Sequence, residues 1–453
     1  MDSTNATLER PTHYRYVVLT YLCLLTFILY LDRVCIGVAG PAIQRDMGLT
    51  ETQLGYVYAS FTLAYGLFMA AAGRLGDRFG SRGVLVAIVL WWSCFTALTG
   101  ACTGFLMLLI VRFIFGAGEA GALPNCARVL NHWFPARSRG LPQGLLNTAA
   151  LVGGAVAPFV AVRLMDIFDR QLVSFFVEQF GMAPIGWRWT FVVFGLLGLI
   201  WAAFFWIGFR DDPSTHPRVN AGERRLIAHG REGGTATDPK PVVPWRIVLR
   251  SRNVWLLGLI CSCSSFASYL YMFWFPKYLQ SGRGVSSVHS GDLASIVLAG
   301  GALGSACSGI LSDRMTHWTG GRKRARSMIG SFGLCSAAII LSIAIQAEEA
   351  DWMSAGVSLA FFLMMLQIAS WWGAVTDISG KHMGTLFGLM NSLGVVGGIG
   401  AQVFFGWMAD RKKAQGFSGR AQWDPALDYF IVILILGSIA WLCVNSNKSA
   451  VEE

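Results

Sequence analysis

The chain has 453 residues, of which 54% are hydrophobic and only 14% are charged, against roughly 25% charged in an ordinary soluble domain. This balance excludes a soluble globule, and it also excludes disorder, which needs low hydrophobicity and high charge. A transmembrane helix needs about 20 apolar residues, so the composition fits about twelve spans. Apolar runs without alternation exclude an outer-membrane barrel. The net charge of +10 fits basic loops at a membrane surface, and no nucleic-acid partner is expected.

Apolar runs fall into two groups of six, on either side of a stretch rich in charge, Pro and Gly. Their length and composition predict an all-α membrane protein, with both groups forming six-helix bundles. The twelve predicted spans are 16–38, 53–73, 83–101, 105–128, 139–165, 187–209, 253–280, 290–312, 325–346, 352–376, 384–408 and 427–446.

The domains that follow are an N-terminal bundle at 1–209, a linker at 210–252 and a C-terminal bundle at 253–453. Within the linker, a short amphipathic helix is predicted around 222–227. The stretch 166–186 is predicted to be a longer loop on the side opposite the linker. Most of the 36 Lys and Arg residues fall on the side of the termini. The positive-inside rule therefore predicts that both termini are cytoplasmic, in a multi-pass protein of the inner (plasma) membrane.

Two pairs of similar segments recur along the chain. GLLNTAALVGGAVA at 144–157 resembles GLMNSLGVVGGIGA at 388–401, and GRLGDR at 73–78 resembles GILSDR at 309–314. Because both pairs have similar spacings, they indicate duplication of a six-helix unit. Six-helix halves related by an axis along the membrane normal are found in major facilitator transporters.

Signature segments also resemble those of the major facilitator superfamily. Spans 2 and 3 are joined by GRLGDRFGSR, span 4 contains RFIFGAG, and the second copy carries an insertion, MTHWTG, before its basic cluster. The resemblance implies alternating access, with loop residues that hold an inward gate. These gating candidates are Gly73, Asp77, Arg78, Asp313 and Arg314.

A narrower resemblance is to the anion:cation symporter family, which includes bacterial galactonate, hexuronate, glucarate and phthalate permeases and animal vesicular organic-anion carriers. The segments that carry it are YLDR at 30–33, RFIFGAGEAGALPN at 112–125, GWRWTF at 186–191 and WFP at 274–276. These motifs are specific for the family and say little about the substrate.

Four charged residues, Asp32, Arg33, Arg112 and Glu119, fall within apolar spans. Each costs about 2.5–3.5 kcal/mol at mid-membrane, so a functional cavity is favoured over fixed ion pairs between helices. Arg112 and Glu119 are seven residues apart, which places them within about 20° on one helix face and about 10 Å apart along the axis. They cannot pair directly, and the arrangement suits a cation for an anion and a carboxylate for a proton.

Asp32 and Arg33 diverge by about 100° on a helix, so one can face the cavity while the other faces span 4. The family resemblance implies that Arg33 and Arg112 contact a substrate carboxylate, for which guanidinium groups are suited. It also implies that Asp32 and Glu119 carry the coupling protons.

Further polar and aromatic residues are candidates for lining the cavity. Asn147 and Asn391 are related by the repeat. Trp371 precedes Asn391 by twenty residues, and this spacing resembles that of sugar-acid members of the family. The alternative is lipid or helix contact for the aromatic residues and a structural hydrogen bond for the asparagines. The substrate-binding candidates are Tyr65, Asn147, Tyr269, Tyr271, Gln367, Trp371 and Asn391.

The function predicted is secondary active transport, with proton-coupled symport of a small organic anion of the sugar-acid class. The alternatives are an anion exchanger, a sodium-coupled carrier of aromatic or other carboxylates, or a transporter-like receptor. No catalytic set, metal cluster or ATP motif stands out, so the chain is not expected to be an enzyme or to hold a cofactor or metal. The expected partners are the anion, protons and the lipid bilayer, and a monomer is expected.

Overall fold

The computed structural model describes residues 10–135, 138–180, 186–229, 245–319, 321–379 and 383–445. This part of the chain is almost entirely helical and contains no strand. The helices are α1 Tyr14–Met47, α2 Glu51–Phe79, α3 Ser81–Gly100, α4 Phe105–Glu119, α5 Ala122–Trp133, α6 Gly140–Phe180, α7 Gly186–Gly208, α8 Ala221–His229, α9 Trp245–Arg250, α10 Arg252–Tyr269, α11 Phe275–Arg283, α12 Ser287–Thr319, α13 Arg322–Ala344, α14 Ala350–Met365, α15 Ile368–Ser379, α16 Met383–Ala414 and α17 Arg420–Cys443.

Eleven helical segments of the described chain are long and apolar enough to cross a membrane. Three of these segments each consist of two consecutive helices: α4 with α5, α10 with α11, and α14 with α15. Helix α2 is not among the eleven, but its 29 residues pack between α4 and α16, and it supplies the twelfth span. The predicted all-α membrane fold is confirmed.

The first six spans, α1 to α7, and the last six, α10 to α17, meet mainly along two helix pairs, α2 with α16 and α6 with α12. We name the two ends of the bundle by what lies there. The terminal face holds the beginning of α1 and the end of α17. The distal face holds the turn between α1 and α2 and the turn between α11 and α12.

The repeated glycine pairs have equivalent packing roles in the two halves. A Cβ atom on Gly153 would lie 2.2 Å from the Phe27 carbonyl oxygen, and one on Gly397 would lie 2.2 Å from the carbonyl oxygen of Ser262. Glycine therefore brings α6 against α1 and α16 against α10 at backbone contact, as small residues do in membrane bundles. The repeat read from the sequence is thus a repeat of helix contacts.

Span 4 is broken directly after Glu119. Helix α4 ends at that residue and α5 begins at Ala122. Pro124 has no N–H to donate to the carbonyl group four residues earlier, at Ala120, and this missing hydrogen bond weakens the helix at the break. The sequence predicted one uninterrupted span, and the break leaves Glu119 at a helix end.

Span 7 contains a π-helical segment, Leu270–Trp274, between α10 and α11. Pro276 follows it and removes the hydrogen bond to the Met272 carbonyl, and π-bulges commonly absorb such an irregularity. The segment packs across the two halves, because a Cβ atom on Gly37 would lie 2.7 Å from both the Met272 oxygen and the Phe273 Cα.

Two predicted loops are wrong. The stretch predicted as a loop at 166–186 is helical to Phe180 as part of α6, while 181–185 lie outside the described residues. Asp77 and Arg78 belong to the last turns of α2, which ends at Phe79, and only Gly80 separates α2 from α3. Gly80 has a positive φ of 81°, so a glycine allows this abrupt turn.

Helix α8 covers the short helix predicted in the linker, and it is tied to the start of α1. The buried Glu223 carboxylate accepts hydrogen bonds from the backbone N–H groups of Tyr14 at 2.9 Å and Arg15 at 3.0 Å. A carboxylate at a helix N-terminus satisfies free N–H groups and opposes the helix dipole. The linker is thereby held to the terminal face of the first half.

The glycine contact between α1 and α6 gives a stability prediction. Gly153→Ala should lower stability by about 1–3 kcal/mol, because the added Cβ forces two backbones apart. Gly144→Ala in the same helix is the matched control, since nothing lies within 4 Å of its Cβ position. Thermal unfolding in detergent should show a lower midpoint for Gly153→Ala only. Equal midpoints for both variants would contradict the packing described.

Candidate functional site

The four charges predicted within the spans are all buried in the first half. Asp32, Arg112 and Glu119 are each 1% exposed, and Arg33 is 6% exposed. Asp32 and Arg33 lie on α1, whereas Arg112 and Glu119 lie on α4. Helix α2 lies between them through its packing on α4. We call these four residues the charge cluster.

Arg33 and Glu119 form a direct ion pair. The Arg33 Nε donates to Glu119 Oε1 at 3.0 Å, and Arg33 Nη2 donates to the same oxygen. The second carboxylate oxygen, Oε2, is buried without a hydrogen-bond partner in the described structure. Arg33 is therefore the group from span 1 that faces span 4, and half of the Glu119 carboxylate is left unsatisfied.

The other two members of the charge cluster have no hydrogen bond in the described chain. This holds for all three guanidinium nitrogens of Arg112 and for both carboxylate oxygens of Asp32. The guanidinium of Arg112 lies over the ring of Phe115 at 4.2 Å and near that of Phe61 at 5.4 Å. Aromatic faces stabilise a cation only in part. The cluster thus offers a buried donor fork and a buried acceptor to a ligand or a proton.

Aromatic rings form the wall between the two arginines. The Phe61 ring lies 5.2 Å from the Arg33 guanidinium, on which Tyr65 at 4.7 Å and Tyr30 at 4.9 Å also pack. Tyr65, predicted from the sequence, is therefore next to the charge cluster. Phe61, Phe115 and Tyr30 were missed. Phe61 lies four residues before Tyr65 on α2, so helical spacing from Tyr65 could have found it.

Tyr269 is the candidate from the second half that comes near the charge cluster. It lies within electrostatic range of Arg33 and stacks on Phe273 at 5.5 Å. A Cβ atom on Gly398 would lie 3.2 Å from its ring, just as one on Gly154 would lie 3.5 Å from Tyr30. Tyr30 and Tyr269 thus both pack on repeat-related glycines, and both come near Arg33.

Three further candidates make contacts between helices. The Trp371 indole N–H donates to the Leu257 carbonyl at 3.0 Å. Gln367 donates to Ser264 and accepts from the indole of Trp441. Tyr271 is buried against Phe361, with ring centroids 4.7 Å apart. The described contacts do not bring these side chains to the charge cluster, and a substrate role for them stays a prediction.

The repeat-related asparagines have different surroundings. Asn391 is half-buried, and its amide nitrogen lies 4.0 Å from the Met69 sulfur of α2, across the two halves. Asn147 is exposed on α6. Both asparagines lie near the start of their helices, α6 and α16, on the side of the terminal face.

The predicted gating residues gather at the terminal face. Gly73 packs against Pro124 of α5, with a Cβ position 3.3 Å from that ring. Arg78 is exposed with its guanidinium over Phe79, and Asp313 and Arg314 are exposed in α12. The Asp77 side chain lies outside the described part of the structure. A gating role for these residues remains a prediction.

Ion pairs between the two halves, among the described residues, lie at the distal face. Arg163 of α6 donates to Asp292 of α12 at 2.6 and 3.1 Å, and Lys277 pairs with Glu51 at 3.3 Å. Asp410 of α16 accepts from the backbone N–H of Thr52 at 2.7 Å, at the start of α2. The distal ends of the halves are therefore tied together by charge.

The fold and its charged interior can be compared with known proteins. The sequence profile of the Major Facilitator Superfamily matches residues 22–402. The chain belongs to the major facilitator superfamily. The family membership predicted from the loop and span 4 motifs is confirmed. The prediction that the chain is not an enzyme is also confirmed, because the family and its relatives are transporters. It is a multi-pass inner-membrane protein.

Relatives and solved structures agree with this family. The chain is 34% identical to a probable sulfoacetate transporter of Cupriavidus necator, over 88% of each chain. It is 28% identical to a probable galactarate/D-glucarate transporter of Escherichia coli, over 100% of this chain and 98% of the relative. The fold is similar to an inward-facing bacterial homologue of the human lysosomal transporter Spinster, with a TM-score of 0.78, 20% identity and coverage of 95% and 97%.

The buried ion pair predicts non-additive mutants. Glu119→Leu or Arg33→Met alone should destabilise the protein by about 3–5 kcal/mol, because each leaves an unpaired buried charge. The double variant Arg33→Met/Glu119→Leu should recover most of that loss. Thermal unfolding of the four proteins measures the coupling. Additive losses in the double variant would show that the two groups do not act as a pair.

Proposed function

We propose that the chain is a proton-coupled symporter of a small organic anion, with the charge cluster as the site of both the anion and the proton. The observation that carries the proposal is the buried Arg112 guanidinium, whose nitrogens have no hydrogen-bond partner in the described chain. An unpaired buried charge is strongly unfavourable. A planar carboxylate would supply two parallel hydrogen bonds and neutralise it.

Coupling is proposed to follow from the Arg33–Glu119 pair. A proton on Glu119 removes the negative charge that holds Arg33, and Arg33 is then available to a substrate anion. An anion on Arg33 or Arg112 in turn favours a proton on the carboxylates, so the two ligands bind cooperatively. Asp32, buried without a partner, is the second proton carrier in this proposal. A sodium ion is the alternative cation for it.

The substrate class is proposed from the site and from the relatives. The sequence predicted a sugar acid, and a relative across the whole chain is named as a probable galactarate/D-glucarate transporter. A probable sulfoacetate transporter, with 34% identity, makes a sulfonate the second candidate. Sulfoacetate and glucarate share two anionic groups on a short carbon chain. We therefore favour a small anion with two charged ends over a large aromatic acid.

The membrane orientation is part of the same proposal. The excess of Lys and Arg on the side of the termini favours a cytoplasmic terminal face. With that orientation, the ion pairs at the distal face hold the outer side closed. The terminal face would then be the inward side.

The anion assignment predicts loss of binding in Arg112→Ala. Its affinity should fall at least about a hundredfold, or about 3 kcal/mol, because two charge-assisted hydrogen bonds are lost. Arg112→Lys should rescue poorly, since a point charge cannot reproduce the planar fork. Arg170→Ala, at an exposed arginine, is the matched control.

The measurement is thermal stabilisation of the purified protein by D-glucarate, D-galacturonate and sulfoacetate. A response to sulfoacetate alone would refute the sugar-acid assignment and leave the anion site intact. Wild-type affinity in Arg112→Ala for whichever compound binds would refute the anion site itself.

The proton assignment predicts loss of accumulation in Asp32→Asn. In proteoliposomes, a pH gradient should drive uptake by the wild type with sodium replaced by choline. Asp32→Asn should retain exchange across the membrane but lose concentrative uptake, because a neutral amide cannot carry the proton. Full accumulation by Asp32→Asn would remove Asp32 from the coupling, and dependence of wild-type uptake on sodium would identify the alternative cation.

A further inference from the structure

A polar cavity lies at the distal face, away from the charge cluster. It has a volume of about 470 Å³, within the range of roughly 300–1,000 Å³ found for small-molecule sites. It is formed where the turn after α1 and the start of α2 meet α11, α16 and α17. Both halves of the transporter therefore contribute to its walls.

The cavity is rich in positive charge. Arg45, Lys277 and Lys413 line it, with Glu51 as the carboxylate among its lining residues. Lys277 is 5% exposed at the inner wall, while Arg45 and Lys413 are exposed and close enough to act on it electrostatically. Three cations around one carboxylate give the cavity a net attraction for anions.

Buried polar groups in the same walls lack partners. Trp423 lines the cavity with 0% exposure, and its indole N–H has no acceptor in the described chain. The Glu51 Oε2 is also buried without a partner, whereas Oε1 lies 3.3 Å from the Lys277 ammonium. Lys277 also donates to the amide oxygen of Gln44. One buried donor and one buried acceptor in the walls are therefore left without a partner.

We propose that this cavity is a second anion site, which takes a small dianion such as a dicarboxylate between Lys277 and the rim cations Arg45 and Lys413. Two separated anionic groups match one cation at the inner wall and two at the mouth. The site is independent of Arg112 and does not need the charge cluster to be occupied.

The position of Lys277 gives the site a consequence for transport. Its ion pair with Glu51 joins α11 of the second half to α2 of the first half, next to the contact between Asp410 and Thr52. An anion that takes the Lys277 ammonium weakens this tie. The bound dianion would replace this ion pair with contacts to Arg45 of the first half and to Lys277 and Lys413 of the second half, at the face that is the outer side if the proposed orientation holds.

The test measures D-glucarate binding by equilibrium dialysis of the full-length protein in the Arg112→Ala background, where the charge cluster cannot hold the anion. Residual, weaker binding is expected. Arg45→Gln and Lys413→Gln should each reduce the affinity of this residual binding about fivefold. This is the change in affinity expected when the interaction of two unit charges near 4 Å in water is lost. Lys412→Gln, whose side chain is outside the cavity lining, is the matched control and should leave it unchanged.

Thermal unfolding midpoints should be equal among these surface variants. A loss of binding then reflects the lost contact with the anion and not a loss of folded protein. Absence of residual binding, or residual binding that ignores Arg45→Gln and Lys413→Gln, would overturn the second site. If wild type and Arg112→Ala bind D-glucarate alike and both respond to the rim variants, the second site stands and the proposed role of Arg112 fails. In proteoliposomes, the rim variants should raise KM for uptake through the distal face and leave kcat unchanged.

Discussion

Incomplete matching of buried charge is the constraint on which the rest of this structure depends. Burial of a charge in a membrane bundle costs several kcal/mol unless a partner is supplied. Arg33 and Glu119 supply each other, whereas Arg112 and Asp32 have no hydrogen-bond partner in the described chain. A bound anion and a bound proton would complete the set together. In the proposed mechanism, simultaneous binding is therefore more favourable than either event alone, which is the thermodynamic requirement for symport.

Small residues pack the helices that carry these charges closely together. Glycines bring α6 onto α1 and α16 onto α10 at equivalent positions of the two halves, so each half is a closely packed unit. The two halves also pack against each other along α2 with α16 and α6 with α12, and charged groups join them at the distal face, such as Arg163 with Asp292 and Lys277 with Glu51. A partly exposed ion pair such as Arg163 with Asp292 is weak and exchangeable. In the proposed transport cycle, the two halves rock against each other while the ion pairs at the distal face break and re-form.

Sequence patterns predicted the spans, the duplication and the charged residues within the spans, because each of these depends on residues close together in the chain or on residue type. Apolar run length predicted the spans, and the recurrence of GG in 144–157 and 388–401 predicted the duplicated half. The cost of charge in lipid identified Asp32, Arg33, Arg112 and Glu119. Residue spacing also showed that Arg112 cannot pair with Glu119 along one helix.

Pairing between helices was beyond the sequence. Nothing in the chain order indicates whether Arg33 pairs with Glu119 or Asp32 pairs with Arg112, because either side chain of adjacent residues could face α4. The break after Glu119 depends on Pro124, whose effect on a membrane helix varies with its neighbours. Trp371 was chosen as a cavity residue by resemblance and spacing, and Gln367 as a further polar candidate, yet their polar atoms are used in contacts between helices. Helical spacing alone cannot tell a cavity face from a helix contact.

Proton uptake that accompanies anion binding tests the central claim most directly. Purified protein in a weakly buffered solution with a pH indicator would be mixed with the anion identified by the binding screen. The account predicts that the solution becomes more alkaline as the wild-type protein takes up protons with the anion, and that Glu119→Gln takes up fewer protons per bound anion. Anion binding without any proton uptake by the wild type, across the pH range in which the protein is folded, would contradict the account.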